Sequence, residues 1–357
     1  MAAELATRGI RCEWIGRRNA AERRWVADAG LRFHAVPAGK LRRYFSLRTA
    51  IDLFAVVAGL VASWWCLLRM RPAALLVKGG FVSLPPAVAA WVLGIPVLVH
   101  ESDASPGLAS RLASYLAERV LLGFADAQHG LARRALQRSG RRRPLLVEVV
   151  GNPIRAELAG GDAEAAWRWL GVPAEERAPL LLAMGGSLGA WQVNQLVEAA
   201  VPQLTDDWYV VHQTGRGAMA GPPTAHRYRR VDFLADGLGD LLAAATVVVC
   251  RAGANTLGEL ASYGLPSILV PLPSSQSRGE QARNAEVFAA AGASRVLADS
   301  DATPMALVAS LRDLKDNPAS LVAMRAAARG LATPAAAARI AALVEAHLAG
   351  GAASNRW

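Results

Sequence analysis

The sequence predicts an α/β protein with two doubly wound domains. The first observation is a junction at which an apolar strand, Val247–Cys250, runs into the small polar loop Arg251–Asn255 and a helix opens near Thr256. The second is an upstream junction of the same design, LLLAMGGSLGAWQVNQLV, whose Gly-rich turn joins a strand to a helix. The third is length: 357 residues exceed one α/β core, so two domains of about 150 to 200 residues are expected.

Both junctions predict ligand-binding loops. In an open α/β sheet such loops lie at the carboxyl ends of the strands, where ligands bind, and a helix start offers unpaired N–H groups to an anion. Gly185, Gly186 and Gly189 permit close backbone approach, and Ser187 lies near the helix cap. Glu259, about one turn into its helix, either accepts hydrogen bonds from a sugar hydroxyl or compensates the helix dipole.

A third polar cluster strengthens the interpretation as a binding site. The segment GEQARNAE follows the apolar strand SILVPL and supplies Glu280, Gln281 and Asn284. One Gly-rich turn is weak evidence, but two junctions and this cluster in one half of the chain predict a site for a nucleotide diphosphate.

Charge is distributed unevenly along the chain. The net charge is +10, but the first 155 residues carry 23 basic and 10 acidic residues, +13, and the remainder carries 16 and 19, −3. A basic half favours nucleic acid, an anionic membrane or an anionic substrate, unless it reflects a coding bias towards Arg and Ala. No RNP, zinc-finger or helix-turn-helix pattern is present and aromatic residues do not alternate with basic ones, so nucleic acid is not expected.

The segment from Lys40 to Leu68 raises the question of a membrane. Basic residues precede the run LFAVVAGLVASWWCLL, Leu53–Leu68, in which Ser63 is the one polar residue. A spanning helix needs about 20 apolar residues, so this shorter run predicts a buried or interfacial helix. The basic cluster and the Trp64–Trp65 pair favour an interfacial position on an anionic surface.

Cysteine usage predicts neither disulfides nor a metal centre. Cys12, Cys66 and Cys250 lie far apart, and two of them sit in apolar runs. They are typical of buried thiols in a reducing compartment.

Polar residues also follow the strands of the first domain. The turn that contains Gly79, Gly80 and Ser83 follows one apolar strand, and the segment HESDASPG follows another. Within that segment Glu101 and Asp103 suit acid, base or sugar-binding roles, or capping and turn formation. Arg155, after the turn Gly-Asn-Pro, suits a phosphate contact or a surface ion pair.

The expected domains are residues 1–155, residues 156–332 and a C-terminal helix with its tail, residues 333–357. The first contains the basic residues and the predicted interfacial helix, and the second contains the predicted nucleotide-diphosphate site. The C-terminal segment is expected to pack back on the first domain.

These motifs together resemble those of the MurG family, inverting, metal-independent glycosyltransferases that move N-acetylglucosamine from UDP-N-acetylglucosamine onto lipid I to make lipid II. The matching segments are GGFVSLP, GIPVLVHESDASPGLASR, VVGNPIR, GGSLGAWQVNQ, HQTGRG, VDFLAD, VVVCRAGANTLGEL, GLPSILVPLP and SRGEQARNA. Their order and spacing cover almost the whole chain. The resemblance implies two Rossmann-like domains facing across a cleft, the GT-B architecture, with no cofactor.

The resemblance implies a role for each residue of the donor nucleotide site. Gly186, through its backbone, and Ser187 would hold the diphosphate, and Arg155 would reach the same phosphates. Leu234 would pair with the uracil edge through its backbone, and Glu259 would bind the ribose hydroxyls.

The sugar and acceptor sites follow in the same way. Gln281 with Glu280 would contact the N-acetylglucosamine hydroxyls, and Asn284 would support them. In the first domain, Gly79, Gly80 and Ser83 would cradle the pyrophosphate of lipid I. The region Lys40–Leu68 would sit on the cytoplasmic leaflet, which makes the protein peripheral to the membrane.

Three departures from the family pattern stand out. The N-terminal strand and its GGTGGH loop are absent, so we expect a misassigned start or a fragment. Phe81 stands where some members have Tyr. Glu280 and Asp103 stand where other members have Gln and Asn.

The expected reaction is a single displacement that needs a base on the acceptor side. We hypothesise that Asp103 is this base, with Glu101 second. One alternative is a UDP-N-acetylglucosamine 2-epimerase-like enzyme, and another is a non-catalytic, membrane-associated protein that binds a UDP-sugar.

Overall fold

The computed structural model describes residues 1–18, 20–39, 47–131, 145–185, 190–215, 225–234, 236–273 and 276–354. Contacts divide the chain into two compact units, Met1–Asn152 with Ala335–Trp357, and Pro153–Pro334. The elements of each unit are given in turn.

Within its described residues, the first unit contains six strands in two parallel sheets. A pair, β1–β2, stands apart from a four-stranded sheet in the order β3-β4-β5-β6. All five residues of β4 are buried, including His100 and Glu101 at its carboxyl end. The strands are β1 (Glu13–Arg17), β2 (Arg32–Val36), β3 (Leu75–Val77), β4 (Val97–Glu101), β5 (Arg119–Leu122) and β6 (Leu146–Val149). The helices are α1 (Ala2–Thr7), α2 (Ala20–Asp28), α3 (Leu47–Met70), α4 (Leu84–Val92), α5 (Leu108–Ser114) and α6 (Ala127–Gly130).

Helix α3 is the longest helix of this unit and packs on α4. Its inner face consists of Gly59, Ser63 and Leu67, all buried and spaced one turn apart. A Cβ atom on Gly59 would lie 2.3 Å from the carbonyl oxygen of Pro37, so no larger residue fits at this close approach. In the described ranges, no helix combines the length and apolar character that a membrane crossing requires.

The second unit contains one six-stranded parallel sheet. Its order is β12-β11-β10-β7-β8-β9, so the winding direction reverses between β10 and β7. The strands are β7 (Leu180–Met184), β8 (Tyr209–Gln213), β9 (Tyr228–Val231), β10 (Val247–Cys250), β11 (Ser267–Leu269) and β12 (Ser294–Val296). The helices are α7 (Ala163–Leu170), α8 (Trp191–Leu204), α9 (Leu238–Ala244), α10 (Ala254–Tyr263), α11 (Glu280–Ala290), α12 (Pro304–Asp316) and α13 (Pro318–Gly330).

The last helix, α14 (Ala336–Ser354), belongs to the first unit. Its buried residues Ile340 and Val344 form one apolar cluster with Leu5 of α1 and Leu98 of β4. Because these residues are fully or almost fully buried, α14 covers one face of the four-stranded sheet.

Candidate functional site

The reversal between β7 and β10 marks the candidate donor site of the second unit. Open α/β sheets bind ligands outside the carboxyl ends of their strands, at the point where the winding reverses. Here β7 ends at Met184 and β10 at Cys250, paired directly with each other. The loop after β10 leads into α10, whose first residue follows Gly253. The predicted phosphate-binding residues Gly186 and Ser187 lie outside the described residues.

Glu259 and Arg155 form a bidentate ion pair. The Arg155 Nε donates to Oε1 of Glu259 at 2.8 Å, and Nη2 donates to Oε2 at 3.1 Å. The Glu259 side chain is 7% exposed and that of Arg155 is 50% exposed. These hydrogen bonds raise the pKa of Arg155. Since a carboxylate offers about four lone-pair positions, Glu259 retains acceptor capacity for ribose hydroxyls while it holds Arg155.

Leu234 forms a hydrogen bond with Gln213, the last residue of β8. The backbone N–H of Leu234 donates to Oε1 of Gln213 at 3.1 Å, and both residues are buried. A backbone contact of Leu234 with a base therefore uses its carbonyl in this arrangement, or displaces the Gln213 amide. The sequence analysis missed Gln213, although its position at the carboxyl end of a buried strand was a signal.

The polar cluster at the start of α11 lies close to the loops after β10 and β11. Gln281 accepts a hydrogen bond from the backbone N–H of Leu272 at 3.0 Å, through its Oε1 atom. This bond orients the carboxamide so that its NH₂ group points away from the Leu272 donor. Asn284 is fully buried and donates to the Ala252 carbonyl at 3.1 Å. It therefore fixes α11 to the loop after β10, and its predicted support of the sugar contacts remains a prediction.

Glu280 has a different environment from its neighbour Gln281. Its Oε2 atom accepts from the backbone N–H of Arg278 at 2.9 Å, at the exposed start of α11. This contact orders the turn that precedes the helix. The predicted sugar contact of Glu280 remains a prediction.

Arg251 is a second residue that the sequence analysis did not single out. Its Nη1 atom donates to the carbonyls of Val270 and Pro271 at 3.0 and 2.8 Å and to Oε1 of Gln192 at 2.9 Å. The guanidinium thus connects the loops after β10 and β11 with the start of α8. The sequence contained a signal for Arg251, because an Arg directly after a buried strand seldom faces bulk solvent.

The predicted acceptor residues of the first unit share one turn after β3. Gly79 and Gly80 have φ angles of 82° and 80°, the left-handed region that favours glycine. The Ser83 hydroxyl donates to the Gly80 carbonyl at 2.7 Å. The structure therefore brings Gly79, Gly80 and Ser83 together.

Glu101 and Asp103 have distinct positions at the end of β4. Glu101 is the last residue of the strand, is buried, and accepts hydrogen bonds from the backbone N–H groups of Asp103 and Gly107 at 2.9 and 3.3 Å. Burial raises the pKa of Glu101, and a hydrogen bond with Ser110 opposes this effect. Both carboxylate oxygens of Glu101 therefore anchor the loop, whereas Asp103 lies in that loop and is partly exposed.

A second side chain also forms a hydrogen bond with the loop after β4. Asn152 of the predicted Gly-Asn-Pro turn donates to the Ser102 carbonyl at 2.9 Å. The backbone on either side of Asp103 is thus fixed by two side chains, which gives its carboxylate a defined location. In the described part of the chain, no group of three His, Cys, Asp or Glu residues is arranged to hold a metal ion.

Family models match most of the chain. Residues 1–122 match the glycosyltransferase family 28 N-terminal domain, and residues 180–340 match the glycosyltransferase family 28 C-terminal domain. A UDP-N-acetylglucosamine–N-acetylmuramyl-(pentapeptide) pyrophosphoryl-undecaprenol N-acetylglucosamine transferase of Treponema pallidum is 41% identical over 316 residues, 85% of this chain and 79% of that protein. The protein of the same name from Legionella pneumophila (strain Lens) is 36% identical over 312 residues, 87% and 83% of the two chains.

The chain belongs to the MurG family. Its fold is similar to that of Acinetobacter baumannii MurG, with a TM-score of 0.71 at 24% identity over 96% of this chain and 93% of that one. A UDP-GlcNAc 2-epimerase from Neisseria meningitidis has a TM-score of 0.63 at 13% identity over 96% and 94%. The predicted two-domain GT-B fold is confirmed. Since MurG-family and epimerase chains share this fold, the sequence relatives decide between them.

Proposed function

We propose that this MurG-family chain is an inverting transferase that moves N-acetylglucosamine from UDP-N-acetylglucosamine to the muramoyl 4-hydroxyl of lipid I, forming lipid II. The observation that carries the proposal is the identity of 36 to 41%, over 85 to 87% of the chain, with transferases of that printed name. The buried Glu259 carboxylate at the switch point of the second unit supports a sugar-nucleotide donor.

The proposed chemistry is a single displacement at the anomeric carbon of the donor. The 4-hydroxyl oxygen forms a bond to that carbon, the bond from the carbon to the diphosphate breaks, and UDP leaves with the electron pair. The hydroxyl proton passes to Asp103, the partly exposed carboxylate in the loop after β4. Glu101 is less suited to this step because its side chain is buried, which limits the access of a substrate hydroxyl.

The donor roles are proposed residue by residue. Glu259 binds the ribose hydroxyls, Arg155 and the loop with Gly186 and Ser187 stabilise the departing diphosphate, and Leu234 contacts the base. At the start of α11, Glu280 and Gln281 contact the sugar hydroxyls, and the fully buried Asn284 supports them. Positive charge at the diphosphate stabilises the leaving group in the transition state.

The proposal is tested by transfer of labelled N-acetylglucosamine from UDP-N-acetylglucosamine to a lipid I analogue. The expected product is the labelled disaccharide lipid, with a β-glycosidic bond that reports inversion. Conversion of UDP-N-acetylglucosamine to UDP-N-acetylmannosamine without the lipid product would instead support an epimerase. Donor binding with no turnover of any kind would support a binding protein.

We also propose that α3 attaches the protein to the cytoplasmic face of an anionic membrane. An exposed apolar stripe runs along this helix and consists of Phe54, Val57, Val61, Trp64 and Trp65, with exposed fractions between 41 and 77%. The helical spacing places these side chains on one face, opposite the buried Gly59–Ser63–Leu67 face.

Aromatic and basic groups meet at one end of this stripe. The indole rings of Trp64 and Trp65 stack with centroids 5.8 Å apart, and the Arg69 guanidinium lies 5.6 Å from the Trp65 centroid. Such a combination suits the headgroup region, where apolar insertion and attraction to anionic lipids add. The predicted basic residues Lys40, Arg42 and Arg43 lie outside the described residues.

Val61→Glu should lower binding to phosphatidylglycerol vesicles by about tenfold, because it removes apolar insertion and adds charge of the same sign as the lipid. Cosedimentation of the full chain with vesicles measures the effect. Val322→Glu is the matched control, since Val322 is an exposed valine of α13 in the second unit. Equal binding by the Val61 variant and the native chain, or equal loss in both variants, would contradict the proposal.

A further inference from the structure

Lys78, which is partly exposed, contacts the buried His100 beside the proposed acceptor turn. Lys78 follows β3 and directly precedes Gly79, and its Nζ atom lies 2.7 Å from Nδ1 of His100. The Nε2 atom of His100 lies 3.0 Å from the Gly151 carbonyl oxygen. Because a carbonyl oxygen accepts but never donates, Nε2 carries the proton, and Nδ1 accepts from the Lys78 ammonium.

The charge states of the pair are fixed by their surroundings. Burial and the neighbouring Lys78 charge lower the pKa of His100 to about 4, so its ring is neutral near pH 7. Burial lowers the pKa of Lys78 to about 8, which leaves the ammonium mostly charged at pH 7. The pair is therefore a cation held by a neutral imidazole.

The Lys78 ammonium lacks a direct anionic partner. An ammonium has three N–H donors, and His100 takes one of them. Within the described ranges, no Asp or Glu oxygen lies within 4.0 Å of Nζ, and Glu101 acts on it only at longer range. A desolvated cation without a counter-ion is unfavourable, so this position is suited to an anion supplied by a ligand.

Lys78 is also among the residues that line a cavity. This cavity of about 590 Å³ is lined by Lys78, Gly79, Gly80 and Ser83, among other residues. Both glycines have positive φ angles, and Gly80 has open space where a Cβ would stand. The backbone of this turn and the Lys78 ammonium are thus available to the same bound group.

We propose that Lys78 binds a phosphate oxygen of the acceptor pyrophosphate and determines selectivity for a diphosphate over a monophosphate, with His100 as its positioning residue. This inference rests on the proposed transferase function. A diphosphate supplies the negatively charged partner that the Lys78 ammonium lacks. Charge-assisted hydrogen bonds to phosphate are stronger than hydrogen bonds between neutral groups. His100 holds the ammonium at the end of β3 because its ring is fixed by the Gly151 carbonyl.

Lys78→Met should raise the KM for a lipid I analogue at least about tenfold, a loss comparable to one charge-assisted hydrogen bond. The KM for UDP-N-acetylglucosamine should change less than about twofold, because the donor residues belong to the second unit. Lys315→Met is the matched control: Lys315 lies on α12 and pairs with Asp207. An unchanged acceptor KM in the Lys78 variant, or the same rise in the control, would overturn the proposal.

A binding measurement tests the role of Lys78 without turnover. Farnesyl diphosphate and farnesyl monophosphate are titrated into the full chain, and the native protein should prefer the diphosphate. Lys78→Met should lose this preference, and Lys78→Arg should keep most of it because the cation remains. Equal affinity of the native chain for both probes would overturn the proposal, whereas absence of transfer in the native chain would count against the proposed function alone.

The positioning role of His100 has its own readout. His100→Asn retains an acceptor atom near the place of Nδ1, and His100→Leu removes it. We expect the Leu variant to raise the acceptor KM like Lys78→Met and the Asn variant to restore it substantially. A loss of equal size in both variants, with unchanged diphosphate preference, would overturn the role assigned to His100.

Discussion

Asp103→Asn is expected to lower kcat by about 10²- to 10⁴-fold, the usual contribution of a positioned general base. Asparagine matches the shape of aspartate but takes up no proton at neutral pH. The loop should keep its conformation, because it is the Asp103 backbone N–H, rather than the side chain, that donates to Glu101 at 2.9 Å. The affinity for UDP-N-acetylglucosamine should therefore stay within about twofold of the native value.

The measurement is single-turnover transfer to a lipid I analogue, with donor affinity determined separately by calorimetry. Asp28→Asn, the same substitution at an exposed position at the end of α2, serves as the control and should transfer normally. Glu101→Gln is the comparison variant, and its main effect should be on stability, because the buried Glu101 carboxylate anchors the loop. Normal turnover of the Asp103 variant would rule out Asp103 as the base.

Local sequence patterns were sufficient for the sheet junctions of the second unit. The predicted strand Val247–Cys250 is the observed β10, and the helix predicted near Thr256 begins two residues earlier, at Ala254. A short run of apolar residues directly before a Gly-rich turn is typical of a buried parallel strand.

Contacts between residues that are far apart in the chain could not be predicted from the sequence. Arg155 and Glu259 are 104 residues apart, and both were predicted to bind the donor without any sign that they bind each other. The pairing of Gln213 with Leu234 likewise depends on how the loops after β8 and β9 meet. Such contacts are set by tertiary packing, on which neither periodicity nor capping patterns carry information.

The sequence predicted a helix in this apolar segment but not the full extent of that helix. The apolar run Leu53–Leu68 predicted a short helix. The observed helix α3 is longer, from Leu47 to Met70, and includes residues on both sides of that run. The exposed stripe within it required knowledge of which face meets α4. When a helix is apolar on nearly all sides, its sequence does not indicate which face is buried.

Glu259→Gln is expected to raise the KM for UDP-N-acetylglucosamine by about 10²-fold, or about 2.7 kcal/mol. The change keeps the shape of the side chain but removes its charge. Two interactions weaken at once: the bidentate pair with Arg155, at 2.8 and 3.1 Å, and the proposed hydrogen bonds from the ribose hydroxyls. Because half of the Arg155 side chain is exposed, solvent screening limits the ion pair to about 1 kcal/mol or less. Hydrogen bonds from hydroxyls to a charged acceptor contribute about 1.5 to 3 kcal/mol, so the proposed ribose contacts account for most of the expected loss.

A comparison of UDP with 2′-deoxy-UDP separates the two contributions. If Glu259 binds the ribose, the native chain should prefer UDP, and Glu259→Gln should lose most of that preference. Arg155→Met removes the ion pair but leaves the carboxylate, so it should weaken binding of both nucleotides while the preference for the 2′-hydroxyl persists. Preference retained in Glu259→Gln and lost in Arg155→Met would show that the carboxylate serves to position Arg155 and that another group binds the ribose. The assignment thus depends on the ratio of two affinities within one protein, which a general loss of stability would leave unchanged.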